Sequence, residues 1–590
     1  MRKLPIFNAA FTLDRAAFDH PDRVSLTYGQ QSWTVAQAAT ATRRLAQLLA
    51  QVGVSAGDRV MLVSHNSPYH LFFHIACARL GAVLVPVSFR LTQFELQALV
   101  DFCSPRTVIC EPEVAARGSF TSTGTLMHFV IDDDVQAGPL TPGLAVGYLG
   151  LTAALIAFDG EFIADGADDG PLELNQHDYP EGLADIFFVA GTVGQPRGTE
   201  LTHENLWWGS RNFRDALGYN NDDVALVAAP LSHVSGFNCV TLDLFASGGH
   251  VVITRDFDPA AILQMIEAHR VTVFFGMSTM YLALSGHPDF ATRDLSSWRL
   301  PLVGGTHVPP PLLGRLASRH LRPLPVWGLP ETAAAIAYLP FEHCAEYPGA
   351  VGRPFPHVAM RIVDPRTGED LPEGQVGVVD VQGPAVAARY WHNDADSRAT
   401  FPNGWFRTGD LGQMSDGVVT ITGRYSEVIF SGGESVLPAE VEDVLIQYPG
   451  ITEAVVCGVP DAIWGESVAA AITVDSGSPR PEVSDLLAFA DQVLAGYKLP
   501  RRVIVVDTIP AGEEGVVDRA AVRAMLLDVP PLQSLEQAGS TAGIAAADIA
   551  VTASPEPFAA TPGEEVSLND DLTLRDSPAH ESGTTSMERQ

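Results

Sequence analysis

Three glycines, Gly191, Gly194 and Gly198, fall within the stretch Phe187–Leu206, FFVAGTVGQPRGTELTHENL. An apolar run feeds the loop, and Thr202 before His203-Glu204-Asn205 reads as the start of a helix. A glycine-rich loop after a strand lets backbone N–H groups approach phosphate oxygens closely. The G-x-x-x-x-G-K-[ST] spacing of a Walker A loop is absent, and a plain tight turn carries the same signature. Two carboxylates sit in similarly punctuated settings. Glu331, in VWGLPETAAA, taken alone suits a helix start facing the dipole. Asp410, in GWFRTGDLG, suits a turn cap. His65, His70 and His74 lie close together in HNSPYHLFFH, but without H-E-x-x-H they read as ordinary histidines on a helix face.

The glycine-rich stretch is followed, in order, by VWGLPETAAA (326–335), GWFRTGDLG (404–412), GRYSEVIFSGGESVLPAEVE (423–442) and IPAGEEGVVDR (509–519). Together the five stretches resemble the adenylate-forming superfamily of acyl-CoA synthetases, firefly-type luciferases and the adenylation domains of peptide synthetases. SGGESVLPAEVE and GVPDAIWGESVAA look most like bacterial acyl-CoA synthetases. The resemblance covers residues 10–525. It implies ATP with Mg2+ and CoA as cofactors, and a small carboxylic acid or acyl thioester as substrate. It implies that the acid attacks the ATP α-phosphate and that a thiol, from CoA or a carrier protein, then displaces AMP.

By the same resemblance Gly191, Thr192, Gly194, Arg197 and Gly198 match the phosphate loop, and Glu331 the magnesium-binding glutamate. Asp410 and Arg424 match the pair that holds the ribose. Gly304 and Gly305 match a strand end beside adenine and the acyl group, and His233 in PLSHVSGFN a catalytic position at the mouth of the acyl pocket. Ser431, Gly432, Gly433, Trp464 and Lys498 match the CoA-facing half. Trp464 is equally a half-exposed packing residue on its own chemistry.

The departures from the family pattern concern ATP. Where the family reads Thr-Ser-Gly-Thr-Thr-Gly-x-Pro-Lys-Gly, this chain has Val189, Ala190, Gly191, Thr192, Val193, Gly194, Gln195, Pro196, Arg197 and Gly198. Each lost hydrogen bond to a charged phosphate would cost about 1.5–3 kcal/mol. The threonine that donates to the α-phosphate is Pro330, and the lysine of the last motif is Val516. No lysine follows Val503; the nearest is Lys498. Three readings stand: an acid–thiol ligase with weakened or rerouted adenylation, a repurposed enzyme that binds an acyl group or thioester without forming an adenylate, and a non-catalytic binding or scaffold protein.

The elements that must position these residues repeat along the chain. DRVMLVSHNS (58–67) reads as strand then turn, and LFFHIACARLGAVLVPVSF (71–89) as helix, glycine stop and strand. Strand patterns recur at 222–231, 248–257 and 271–280, which predicts an α/β fold of doubly wound sheets. The resemblance adds a distorted β-barrel to that large N-terminal domain. GQMSDGVVTITGRY carries an Asp-Gly hairpin signal, and 437–461 reads helix, glycine, strand, the start of a small mobile α+β unit. The expected boundaries are 1–422, 423–527 and an acidic, disordered tail at 528–590, with a hinge near Tyr425-Ser426.

A formal charge of -34 argues against nucleic acid as a partner. The six cysteines are scattered and form no C-x-x-C, which predicts a reduced, cytoplasmic protein. The basic N-terminus meets Asp14 before any long apolar core and makes a poor signal peptide. Val135–Phe158 is uncharged and long enough to approach a membrane span, but its four glycines and two prolines predict a buried or irregular segment instead.

Overall fold

The computed structural model describes residues 6–118, 120, 127–132, 148–155, 179–189, 197–304, 308, 310–431, 434–461, 464–475, 477–511 and 517–532. The repeating strand and helix pattern becomes two large sheets. The first runs Tyr148–Gly150, Met127–Val130, Thr107–Cys110, Arg59–Ser64, Val83–Ser88, Leu183–Val189, Arg197–Thr202. Its pairings are parallel until the last, an antiparallel hairpin. The second sheet has a parallel half, from Val24–Tyr28 to Leu324–Trp327, and continues through antiparallel strands to Ala359–Val363. The barrel implied by the resemblance corresponds to this antiparallel end, whose strand pairing follows an open path.

The helix Tyr69–Leu80 shows why the layers close. It is apolar on every side, so it must be covered on every side. Residues His70 to Ala78 are all buried, in a core shared with Leu26 and Tyr28 of the second sheet and Leu62 and Leu84 of the first. Gly81 ends it at φ 66°, a left-handed cap that costs glycine nothing. Thr202 begins the helix His203–Leu217 with a capping box to Asn205, as its position predicts.

A third sheet is built from Glu434–Val436, Ile429–Ser431, Gly465–Val474, Ile451–Asp461 and Arg502–Val505. Its first residue follows the expected hinge. The tail boundary moves. Asp528 to Leu532 still belong to the body, because Arg502 donates to the carbonyls of Leu527 and Val529 and the Leu532 N–H donates to Arg501 at 2.8 Å. The uncharged stretch 135–158 lies partly outside the described residues. Within it Tyr148–Gly150 is an edge strand and 151–155 is helical, with Leu151 and Ala154 buried, so a strand interrupts the candidate span. No helix among the described residues is long and apolar enough to cross a membrane.

Candidate active site

The strand ends of the second sheet open into a cavity of about 440 Å³. Val303, Trp327, Gly328, Asp410 and Arg424 line it, and Glu427 and Arg519 complete the wall from the side of the third sheet. Asp410 and Arg424 face each other in register across the hairpin formed by Phe406–Ser415 and Val418–Arg424. The Asp416-Gly417 turn of that hairpin has φ 52° and 73°, the positive values that the Asp-Gly pair predicts. Arg424 Nε stands 2.8 Å from Asp410 Oδ1. Asp410 Oδ2 is buried without a partner. Burial pushes the Asp410 carboxyl up to about 6, with Glu427 and Glu331 adding to the rise and Arg424 opposing it. Asp410 lines the cavity with one oxygen held and one buried and unsatisfied, which leaves it acceptor capacity for a hydroxyl-bearing ligand.

Glu331 lies in the short 3-10 turn Pro330–Thr332, just past the strand end at Trp327. It is 7% exposed, and the Tyr390 hydroxyl donates to its Oε1 at 2.6 Å. Burial raises its carboxyl above the usual range; Tyr390, Arg424 and Arg197 oppose the rise. The turn is over-determined. Ala333 and Ala334 both take positive φ, 48° and 75°, and the Asn238 side chain donates to Ala333 O at 3.0 Å. Gly328 packs directly under the Ala334 carbonyl, where a Cβ would collide. A buried carboxylate with one side-chain donor retains acceptor capacity suited to a hard dication, so Glu331 fits magnesium.

The glycine-rich loop was expected to pass from strand to helix. Instead Arg197–Thr202 is a second strand, paired antiparallel with Leu183–Val189, and the helix follows it. The reason is in Arg197-Gly198-Thr199-Glu200-Leu201-Thr202. Leu201 is buried, and Gly198 packs against Ile186 and Phe188 where a side chain would clash. Arg197 pairs with Asp396 at 2.9 Å and lies over the Tyr390 ring.

The remaining expected positions separate. Gly304 ends its strand beside Val303. His233 lines a second cavity, of about 410 Å³, with His65, Phe89, Arg255 and Met277. The two cavities open at neighbouring strand ends, since Met277 pairs in register with Gly304. Ser431 is buried, with an unpartnered hydroxyl, and pairs with Gly465. Trp464 is half-buried beneath Arg501, whose guanidinium stands 4.1 Å from its ring, which is the packing role its chemistry allows. Lys498 is held by Glu440 at 2.5 Å. Neither Trp464 nor Lys498 lines the cavities described. Gly191, Thr192, Gly194, Gly305, Gly432, Gly433 and Val516 lie outside the described residues, as does the chain from 533.

The three histidines do not form one group. His70 and His74 are buried in their helix, whereas His65 sits between Glu113 and Asp256 at 2.8 and 3.1 Å. His65, Glu111 and Glu113 come within 4.8 Å of one another, but Arg255 already neutralises Glu111 at 2.5 Å. Trp327, Tyr390, Glu427 and Arg519 were not singled out from the sequence as site residues. Trp327, Glu427 and Arg519 stand within recognised motifs, while Tyr390 is 59 residues from the carboxylate it holds and only the fold brings it there.

The family model for the AMP-binding enzyme matches residues 13–391, and that for the AMP-binding enzyme C-terminal domain matches residues 440–515. A feruloyl-CoA synthase from Amycolatopsis sp is 35% identical over 86% of this chain and 97% of its own length. An indoleacetate–CoA ligase from Aromatoleum aromaticum is 31% identical over 87% and 97%. Among solved structures, ATP-bound MatB from Rhodopseudomonas palustris superimposes with a TM-score of 0.73 at 28% identity, covering 88% of this chain and 99% of that one.

Proposed function

The chain belongs to the AMP-binding enzyme family, and from that premise we propose that it is an AMP-forming acid–thiol ligase with weakened adenylation. The observation that carries this reading is Asp410: a buried carboxylate in the wall of a nucleotide-sized cavity, one oxygen held by Arg424 at 2.8 Å and the other unpaired. Ribose hydroxyls satisfy such an acceptor. The substrate carboxylate oxygen attacks the α-phosphorus of ATP, pyrophosphate leaves, and an acyl adenylate results. A thiol sulfur then attacks the acyl carbonyl and AMP departs. Arg424 orients Asp410, Trp327 and Val303 wall the cavity, and Glu331 would hold magnesium, which offsets phosphate charge when bound. CoA is the thiol we assign.

Adenylation is weak in this reading because Pro330 and Val516 stand where the family places donors. Loss of one preorganised donor commonly costs about 10²–10³ in rate. The same two residues favour a second reading, in which an acyl group or thioester binds and no adenylate forms. Pyrophosphate release across a panel of carboxylic acids, beginning with aromatic acids of the ferulate and indoleacetate kind, separates them. Slow, CoA-stimulated release supports the ligase. Release no faster than that of a heat-treated control with every acid, while acyl-CoA binds, supports the second reading.

A further inference from the structure

We propose that Tyr390 is a positioning residue whose hydroxyl holds the Glu331 carboxylate in the orientation that receives a divalent cation. This rests on the ligase reading of the site and adds to it a residue outside the five motifs. The Tyr390 ring is 3% exposed, and its hydroxyl reaches Glu331 Oε1 at 2.6 Å, the short range of a charge-assisted bond.

Tyr390 is itself fixed from three directions. Its backbone bridges to Thr199, one residue beyond Gly198, and the neighbouring Trp391 N–H donates to Gly198 O at 2.7 Å. Its N–H donates to Ser397 Oγ at 2.9 Å. The Arg197 guanidinium lies 5.7 Å from its ring centroid, and Phe401 packs against it at 5.3 Å. On the Glu331 side, the Ala387 N–H donates to the Glu331 carbonyl at 2.7 Å. The segment 387–391 is therefore zipped to the strand that leaves the glycine-rich loop, and it delivers one hydroxyl to the carboxylate. A buried carboxylate that served only packing would be poorly placed here, with a single side-chain donor and acceptor sites left over. A partner that fixes a ligating carboxylate commonly contributes about 10–100-fold to metal affinity.

The test is calorimetric titration of the full chain with ATP, in excess magnesium and again in EDTA, with the ratio of the two affinities as the readout. Wild type should gain affinity from magnesium. Tyr390→Phe should lose about tenfold or more of that gain with its EDTA affinity unchanged. Glu331→Gln should lose it likewise, and adding Tyr390→Phe to Glu331→Gln should cost nothing further. A purely structural tyrosine would instead weaken ATP equally in both buffers or add its loss to that of Glu331→Gln, and either result overturns the proposal. An intact gain in Glu331→Gln, or none in wild type, overturns the metal role of Glu331 and this proposal with it, leaving the ligase reading to the pyrophosphate assay. Wild type that binds no ATP in either buffer removes both.

Discussion

Asp410 keeps one oxygen on Arg424 and leaves the other unpaired at a cost, and burial lifts its carboxyl to about 6. Above that value the group is an acceptor on both oxygens; below it, a proton occupies one. Adenosine is the useful probe, because it carries the ribose and no phosphate that titrates in this range. Its affinity should be flat from pH 8 to about 6.5 and then fall, approaching tenfold per unit below about 6. Asp410→Asn should bind weakly and without that pH dependence; a slope that survives in the variant would place the titrating group elsewhere. The cations available to compensate for Val516 are few. Lys3 and Lys498 are the only lysines in the chain, and Lys498 is committed to Glu440. Arg519 reaches the cavity wall but donates to Glu442 Oε1 and Val456 O, each at 2.8 Å, and pairs with Glu427. Val516→Lys alone should therefore change pyrophosphate release little, since Ala190 and Pro330 still lack the hydroxyls that the family pattern places there. The triple variant with Ala190→Ser and Pro330→Thr should raise it, by up to about 10²-fold. Vigorous release from wild type would show that another group already supplies the charge.

The elements divide sharply by how far their cause lies along the chain. Helix, glycine and strand over 69–88, the Asp416-Gly417 hairpin, the strands at 224–227, 250–253 and 273–277, and the helix and strand at 438–461 were all legible. Each is set by a local apolar period and a local stop, such as Gly81 or Gly450 at positive φ. The strand Arg197–Thr202 was not legible. Its residues are polar by composition, and it becomes a strand only because Leu183–Val189 offers an edge and Gly198 fits beneath Phe188. For the same reason the ribose pair could be read from sequence, both partners lying in motifs, while Tyr390 could not. In the Glu331 turn the constraint is local, since Gly328 is required by the carbonyl of Ala334, six residues on. Gly328→Ala should destabilise the protein by about 1–3 kcal/mol and weaken nucleotide binding together. Gly286→Ala is the matched control: an added Cβ there meets nothing within 4 Å, and it ends a helix, so stability should hold or rise slightly. Equal effects from the two changes would show that the turn has room to relax.

For the molecule as a whole, two opposing sets of titrating groups decide its behaviour in acid. His70 and His203 are enclosed between the sheets, and burial holds both down at about 3, against about 6.5 for an unfolded histidine. Between those values the unfolded chain binds more protons, so stability falls as pH falls, by up to about 1.4 kcal/mol per unit for each histidine. Asp410 and Glu331 act the other way, because raised carboxyls take up protons earlier in the folded state than in the unfolded one. The net loss should set in between about pH 7 and 6 and continue toward pH 5, with Asp410, half protonated near 6, offsetting part of it. His70→Leu should flatten the fall in melting temperature between pH 7 and 5, and an unchanged slope would remove His70 from this account. The end of the body is the other whole-molecule question, since composition alone places the start of the tail at Asp528. The hydrogen bonds place it later: Leu526 is buried against Val455 and Ala471, and Val529 and Leu532 are tied to Arg502 and Arg501 beside the strand Arg502–Val505. Residues from Gln533 on are rich in Ala, Ser, Thr, Pro and acids, with Phe558 the only aromatic. Removing 533–590 should leave the melting curve superimposable on that of the full chain. Removing 528–590 should lower it, because it strips partners from Arg501 and Arg502 and exposes the end of the helix Arg519–Leu527. If the longer chain melts many degrees above the 532-residue form, the tail contributes to the body and its composition has misled; if the two truncations melt alike, the bonds from Val529 and Leu532 add nothing that the helix does not already hold.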